Sequence, residues 1–533
     1  MSTTRSGVPM RLVPAQEALA SRAMVVSVDG LATGAALNVL RRGGSAVDAA
    51  IAANAVLTVT LPNQCGLGGD LFALVHQPGS RPRLLEAAGR AGSGADPEGL
   101  RARGLSAIPP DDIAAVTIPG CVDGWTALHE EYGRLPMADL LAEAIAYARD
   151  GFPASPFLAQ KISNRPAIAR EIAGGDGSVA PGAILRRAAV ARVLGDIADG
   201  GRDAFYCGAF GAALRKQSTY FTEGDLKMSQ ARWADPLRIE AFGSVLWSTQ
   251  PPASGYITLA AAWIADHLDL PDDTNDVRWA HLLAESIRQA AFDRSEVLAD
   301  GADGTALIDP ERLAPRAEAI RGDAVATLGD SYRQGGTTYV AVVDEDRLSV
   351  SLIQSNCMSF GSGLVAGNTG IWLQNRGIGF TLRPGHPNML TPGRRPAHTL
   401  APVLVTDRQH QLVACLGTRG GDSQPQVLLQ LLARVLRSRE RPASALAAGR
   451  WVLRGAGDDT SFDTWGARGA VRMGLEGNVP GHWAGELTGL GHAIEVENAF
   501  SQAFGHAHVI ATDGVTLVGA ADPRSGTAMA AGF

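Results

Sequence analysis

Lysine is almost missing from this 533-residue chain: only Lys161, Lys216 and Lys227 occur, so nearly all positive charge is arginine. With 47 basic against 54 acidic residues the formal net charge is −7, which offers no basic stripe to nucleic acid. Aromatic residues are sparse at 6%, but hydrophobic residues reach 46%, which excludes a disordered chain and provides for a large core. No apolar run approaches the ~20 residues that would cross a bilayer. Residues 1–20 carry no apolar segment behind a basic start, so no secretory signal and no membrane partner are expected. The five cysteines (Cys65, Cys121, Cys207, Cys357, Cys415) are odd in number and scattered, without a C-x-x-C pair or zinc spacing. Reduced thiols in a cytoplasmic protein follow from that pattern. H-E-x-x-H and G-x-S-x-G are both absent, and His506-Ala507-His508 is too little for a metal. Neither metal nor cofactor nor a serine nucleophile elbow is therefore expected.

What is present reads as an α/β protein. Residues 1–24 are polar and unpatterned, the composition of a loose arm. Apolar residues recur at helical spacing from Leu31 to Leu40. Ser45 and Asp48 then form a capping-box pattern that opens an Ala-rich helix from Ala46 to about Val59, apolar all round and so buried. The Gly66-Leu67-Gly68-Gly69-Asp70 loop follows a helix and precedes the strand Leu71–Val75, the reverse of a nucleotide-binding order, so close backbone packing is the better reading. Helices are expected over about Met137–Arg149, Ile257–Leu268, Trp279–Ala291 and Gln426–Val435, with residues 155–235 mostly helical. Residues 301–336 are rich in Gly, Asp, Arg and Ala and read as a mobile lead-in to what comes next. Phe242–Trp247 reads as an earlier strand, and after Thr337 strands dominate: Tyr339–Val343 with Leu348–Ile353 as a hairpin, then Leu400–Val405 with Gln411–Leu416, Ala493–Glu497 and His508–Thr512.

Gly335-Gly336-Thr337-Thr338 stands at that change of character. It is either a flexible turn feeding a strand or the site of a cut. If the Gly336–Thr337 bond breaks, Thr337 owns a hydroxyl and a free α-amine, which titrates near ~8 and can act as base for that hydroxyl. The hairpin would bring Ser355 back close to Thr337. Gly417-Thr418-Arg419-Gly420-Gly421-Asp422 follows a strand and precedes a helix. Its adjacent glycines either make a tight turn or aim two N–H groups at a developing oxyanion.

Taken in order, Gly43–Ala50, Gly66–Asp70, Pro119-Gly120 through Trp125, Tyr132–Leu135, Gly336–Thr338, Phe360–Gly363, Arg395-Pro396, Gly420-Gly421 and Gly519–Arg524 resemble the γ-glutamyltranspeptidase family of N-terminal-nucleophile hydrolases. The resemblance implies a four-layer αββα sandwich made as a proenzyme, cut into a large chain of about 1–336 and a small chain of about 337–533. It implies Thr337 as nucleophile, Ser355 in place of a second threonine, and Gly420 and Gly421 as oxyanion glycines. The two chains would be each other's partners, in a homodimer or heterotetramer. Where the family holds a substrate ammonium and α-carboxylate, this chain has Cys357, Arg376, Gly379 and His398-Thr399. Two cationic or ionisable groups, Arg376 and His398, thus favour an acidic substrate, with Asn356, Arg90 and Arg419 as further binding candidates. Leu373–Gly377 and Pro384–Asn388 resemble the branch typified by oxamate amidohydrolase. The expected activity is hydrolysis of a small acidic amide through an acyl-enzyme. The alternatives are C–C hydrolysis releasing an oxalyl unit in 4-alkylproline-type secondary metabolism, γ-glutamyl transfer or hydrolysis, and a non-catalytic binder on the same fold.

Overall fold

A computed structural model describes residues 16–163, 165, 168, 172, 178–330, 332, 335–455 and 471–533. Two seven-stranded sheets, antiparallel throughout, lie face to face. The first runs in the order Met529–Gly532, Met24–Ser27, Gly336–Val343, Ser349–Cys357, Asp70–His76, Arg83–Ala87, Ala231–Ala234. The second runs Gln16–Ala20, Leu517–Ala521, Ala507–Thr512, Leu412–Thr418, Val403–Thr406, Ser244–Ser248, Leu237–Ala241. Strands from either side of Gly336 interleave in both sheets, so a cut there would nick one folded unit and leave its layers joined.

Three apolar layers explain the stacking. Along Gly336–Val343 the side chains alternate: Tyr339, Ala341 and Val343 meet Leu404, Cys415 and Ile510 of the second sheet, while Val340 and Val342 point the other way. Both faces are buried, which is why the strand reads as an unbroken apolar run. Outside the first sheet lie helices Gly30–Arg41 and Ala46–Thr60; outside the second lie Gly255–Asp266, Val277–Ala291 and Gln424–Leu432. The architecture is therefore the αββα sandwich. Every residue of Ala46–Thr60 is buried, and Ser45 and Asp48 form the expected capping box. The two sheets meet closely because Gly417 has no side chain: a Cβ there would lie 2.0 Å from Cδ2 of Tyr339.

Two sequence expectations need correction. Gln16–Ala20 and Met24–Ser27 are strands, each at or near a sheet edge, where pairing with Leu517–Ala521 and Met529–Gly532 supplies order that local composition does not encode; residues 1–15 of the expected arm lie outside the described residues. The 301–336 segment holds helices Gly304–Leu307 and Pro310–Glu318, capped by Asp303 and Asp309. It is then tied down by the buried Asp330–Arg288 ion pair at 2.9 Å. The helical reading of 155–235 holds for Pro156–Ser163, Ala188–Tyr206, Ala209–Gln217 and Glu223–Lys227, and gives way to strand at Ala231–Ala234; most of 164–177 lies outside the described residues.

Candidate active site

The hairpin register is broken where it matters. Gly336 opposes Cys357 and Thr338 opposes Gln354, so two residues, Ser355 and Asn356, face the single Thr337. A bulge of this kind re-aims side chains. Ser355 Oγ donates to the Gly336 carbonyl oxygen at 2.5 Å and accepts from the Cys357 N–H at 2.7 Å. Thr337 Oγ1 donates to the same Gly336 oxygen at 2.8 Å. Cys357 is held at φ 75°, a left-handed conformation that costs a residue with a Cβ. Two hydroxyls thus converge on the carbonyl of the Gly336–Thr337 bond.

The glycine pair approaches from the second sheet. A Cβ on Gly335 would lie 3.3 Å from the Gly421 Cα and 3.6 Å from its nitrogen. Gly420 and Gly421 have φ values of 147° and 58°, open to glycine alone without strain. Their N–H groups donate to no acceptor among the described residues. The turn is pinned by Ser423, whose hydroxyl donates to the Gly420 oxygen at 2.8 Å, and by the buried Arg294–Asp422 ion pair at 3.0 Å.

Arg376 opens a short 3-10 turn, Arg376–Gly379, and is 3% exposed. Its Nη1 donates to Thr399 Oγ1 at 3.4 Å, its Nε has no partner, and no carboxylate pairs with it among the described residues. A buried guanidinium left this way is unusual, because desolvating a charge is costly unless it is paired. Next to it, His398 does not carry the charge expected of it. Its Nδ1 accepts from the Leu400 N–H, so Nε2 holds the proton and donates to Asp70 Oδ2 at 3.2 Å. Burial first, and then the Arg376 charge, draw its pKa down to about 4. His398 is therefore neutral at pH 7 and Arg376 is the cation of the pair. The Cys357 thiol is pushed up by burial and partly held back by Arg376.

The remaining expected residues divide. Asn356 faces the Gly66–Gly69 loop, its Nδ2 donating to the Pro62 oxygen at 3.4 Å. Arg90 is taken up by the Ser229 oxygen and Gln230 Oε1 at 3.1 and 3.2 Å. Neither is among the residues that line the cleft beside the scissile bond. Arg419 is: it lines this open cleft of about 160 Å³ with Asn63, Gln64, Phe157, Lys161, Gly335, Gly336, Met358 and Ser359. Burial lowers the Arg419 pKa to about 10.

Sequence reasoning passed over Asp70 and Lys161. Asp70 is the hub of the Gly-rich loop: its Oδ1 accepts from the N–H groups of Gly89 and Gly120 and from Gln374 Nε2, at 2.9, 3.2 and 2.8 Å. Its place at the end of the Gly-x-Gly-Gly-Asp motif was the available signal. Lys161, one of only three lysines, had none. Among the described residues no three His, Cys, Asp or Glu side chains are grouped to hold a metal, and no helix is long and apolar enough to cross a membrane.

Residues 32–532 match the family model described as Gamma-glutamyltranspeptidase. The chain is 34% identical to the oxamate amidohydrolase proenzyme of Klebsiella pneumoniae, covering 97% of this chain and 99% of that one. It is 29% identical to the glutathione hydrolase proenzyme of Pseudomonas aeruginosa, covering 95% of each. The solved cephalosporin acylase from Bacillus halodurans is 30% identical and superposes with a TM-score of 0.88, covering 100% of this chain and 99% of the other.

Proposed function

The chain belongs to the γ-glutamyltranspeptidase family of N-terminal-nucleophile hydrolases, in the branch that resembles oxamate amidohydrolase, and from that premise we propose a self-processing threonine hydrolase of small acidic amides, oxalyl amides foremost. The observation that carries this reading is the convergence of the Thr337 and Ser355 hydroxyls on the Gly336 carbonyl. Processing would begin when Thr337 Oγ1 attacks the Gly336 carbonyl carbon. Ser355 and the unengaged Gly421 N–H would steady the oxyanion. The peptide nitrogen takes up the proton that the Thr337 hydroxyl gives up and leaves as the Thr337 amine, and water hydrolyses the ester, regenerating the hydroxyl and releasing a Gly336 carboxylate. In turnover, the freed amine accepts the Thr337 hydroxyl proton and Oγ1 attacks the substrate carbonyl. The leaving amine takes that proton, and water resolves the acyl-enzyme. The large and small chains remain partners through the shared sheets.

The substrate class rests on Arg376. A buried guanidinium with a free Nε and no ion-pair partner among the described residues suits a carboxylate one bond from the reacting carbonyl, as in an oxalyl group. A γ-glutamyl substrate is disfavoured on two grounds. The ammonium-binding acid has no place at Gly379, where a Cβ would lie 2.4 Å from the Ala397 oxygen, and Arg376 would repel an ammonium. Cleavage of a C–C bond would pass through the same oxalyl-enzyme; the amide is preferred because of the similarity to oxamate amidohydrolase over nearly the whole chain. Five unpaired cysteines accord with a reducing, cytoplasmic setting. The test is turnover of oxamate and its N-substituted amides by the purified protein and by Arg376→Ala. Hydrolysis lost in the variant supports the reading, and hydrolysis of γ-glutamyl anilide in preference to oxamate would overturn it.

A further inference from the structure

The cleft beside the scissile bond is cationic, and no acid pairs with its charge among the described residues. Lys161 Nζ lies 5.4 Å and the Arg419 guanidinium carbon 5.1 Å from the centroid of the same Phe157 ring. The ring face attracts both cations. Neither Lys161 nor Arg419 has an ion pair among the described residues. Arg419 spends Nη2 on the Gln502 oxygen at 3.2 Å, and its Nε has no partner. Gln64 lines the cleft while 1% exposed, and both polar atoms of its side chain lack a partner. Like charges brought together and partly desolvated are unfavourable unless an anion joins them. Arg376, His398 and Thr399 do not line this cleft.

We infer that Lys161, Arg419 and Gln64 form a second carboxylate subsite, separate from Arg376. Two carboxylates could reach it. One belongs to a substrate: if Arg376 holds the acyl carboxylate, as the proposed function has it, the second lies in the amine portion, and the preferred substrate is an N-oxalyl amino acid with two anionic ends. The other is the protein's own Gly336 carboxylate, released by processing, since Gly335 and Gly336 line the same cleft.

The experiment compares N-oxalylglycine with N-methyloxamate, which differ by one carboxylate, on processed wild-type protein, Lys161→Met and Arg419→Lys. A substrate subsite predicts that wild type favours N-oxalylglycine about 10–100-fold in kcat/KM, and that Lys161→Met brings the ratio near one whatever its absolute rate. An occupant Gly336 predicts no preference, with a Gly336 terminus that resists carboxypeptidase in wild type and is trimmed in Lys161→Met. No preference and equal trimming in all three proteins would overturn the inference. If wild type hydrolyses neither compound, the proposed function fails and the subsite is read by thermal protection with malonate. Protection lost in Lys161→Met but kept in Arg376→Ala supports it; protection unaffected by Lys161→Met refutes it.

Discussion

Replacing Ser355 by alanine should leave the protein folded and largely uncut. The Gly336 oxygen receives two hydroxyls, but they are not equivalent through the reaction. Thr337 Oγ1 gives up its proton as it becomes the nucleophile, so its bond to the Gly336 oxygen is lost as charge builds there. Ser355 alone among the side chains keeps donating, and the unengaged Gly421 N–H lies beside Gly335. Removing one such donor lowers a rate ~10²–10³-fold, roughly 3 kcal/mol of barrier. The same change leaves the buried Cys357 N–H without its acceptor, which costs about 1–3 kcal/mol of stability. Ser355→Thr separates the two effects, because its hydroxyl restores both bonds. The assay follows conversion of freshly purified precursor into two chains on denaturing gels, with thermal melting of each variant alongside. Processing of a folded Ser355→Ala protein at the wild-type rate would refute the assignment of Ser355 to the oxyanion.

Arg376→Ala should lower kcat/KM for oxamate about 10–100-fold, from ~1.5–3 kcal/mol for a lost charged hydrogen bond, and unchanged kinetics would remove Arg376 from the site. Gly417→Ala should cost ~1–3 kcal/mol in urea unfolding, because the new methyl would meet the rigid Tyr339 ring; full stability would mean that the sheets are not locked there. Stability should fall as pH drops from 6.5 towards 4. His398 is held neutral in the fold, its pKa down to about 4, so the unfolded chain binds the extra proton in that window. That depression amounts to ~3 kcal/mol for His398 alone, and the buried His508, drawn down to about 4, adds in the same direction. Urea midpoints flat between pH 6.5 and 4.5 would contradict neutral buried histidines.

The parts of the fold legible in the sequence were those encoded locally. Ser45 and Asp48 announce a helix because a capping box is a four-residue device, and the hairpin around Asp344–Arg347 announces itself by two apolar runs about one turn. Gln16–Ala20 was missed because an edge strand takes its order from a partner 500 residues away. Thr337, Ser355 and the glycine pair were reached through ordered motifs; in the fold the two hydroxyls meet at the Gly336 oxygen, and Gly421 lies beside Gly335. The neutrality of His398 could not be read in advance: it comes first from burial and then from the neighbouring Arg376 charge, both of which only folding supplies. Lys161 was invisible for a related reason. It stands alone in sequence, and only packing against Phe157 places it beside Arg419.

The proposed mechanism stands on Thr337 freeing itself. Intact mass of the purified full-length protein, beside its Thr337→Ala variant, tests this most directly. Two chains from wild type, parted between Gly336 and Thr337, with a single uncut chain from the variant, are the predicted result. A single uncut wild-type chain that nonetheless hydrolyses oxamate, or a Thr337→Ala protein cut at the same bond, would contradict it.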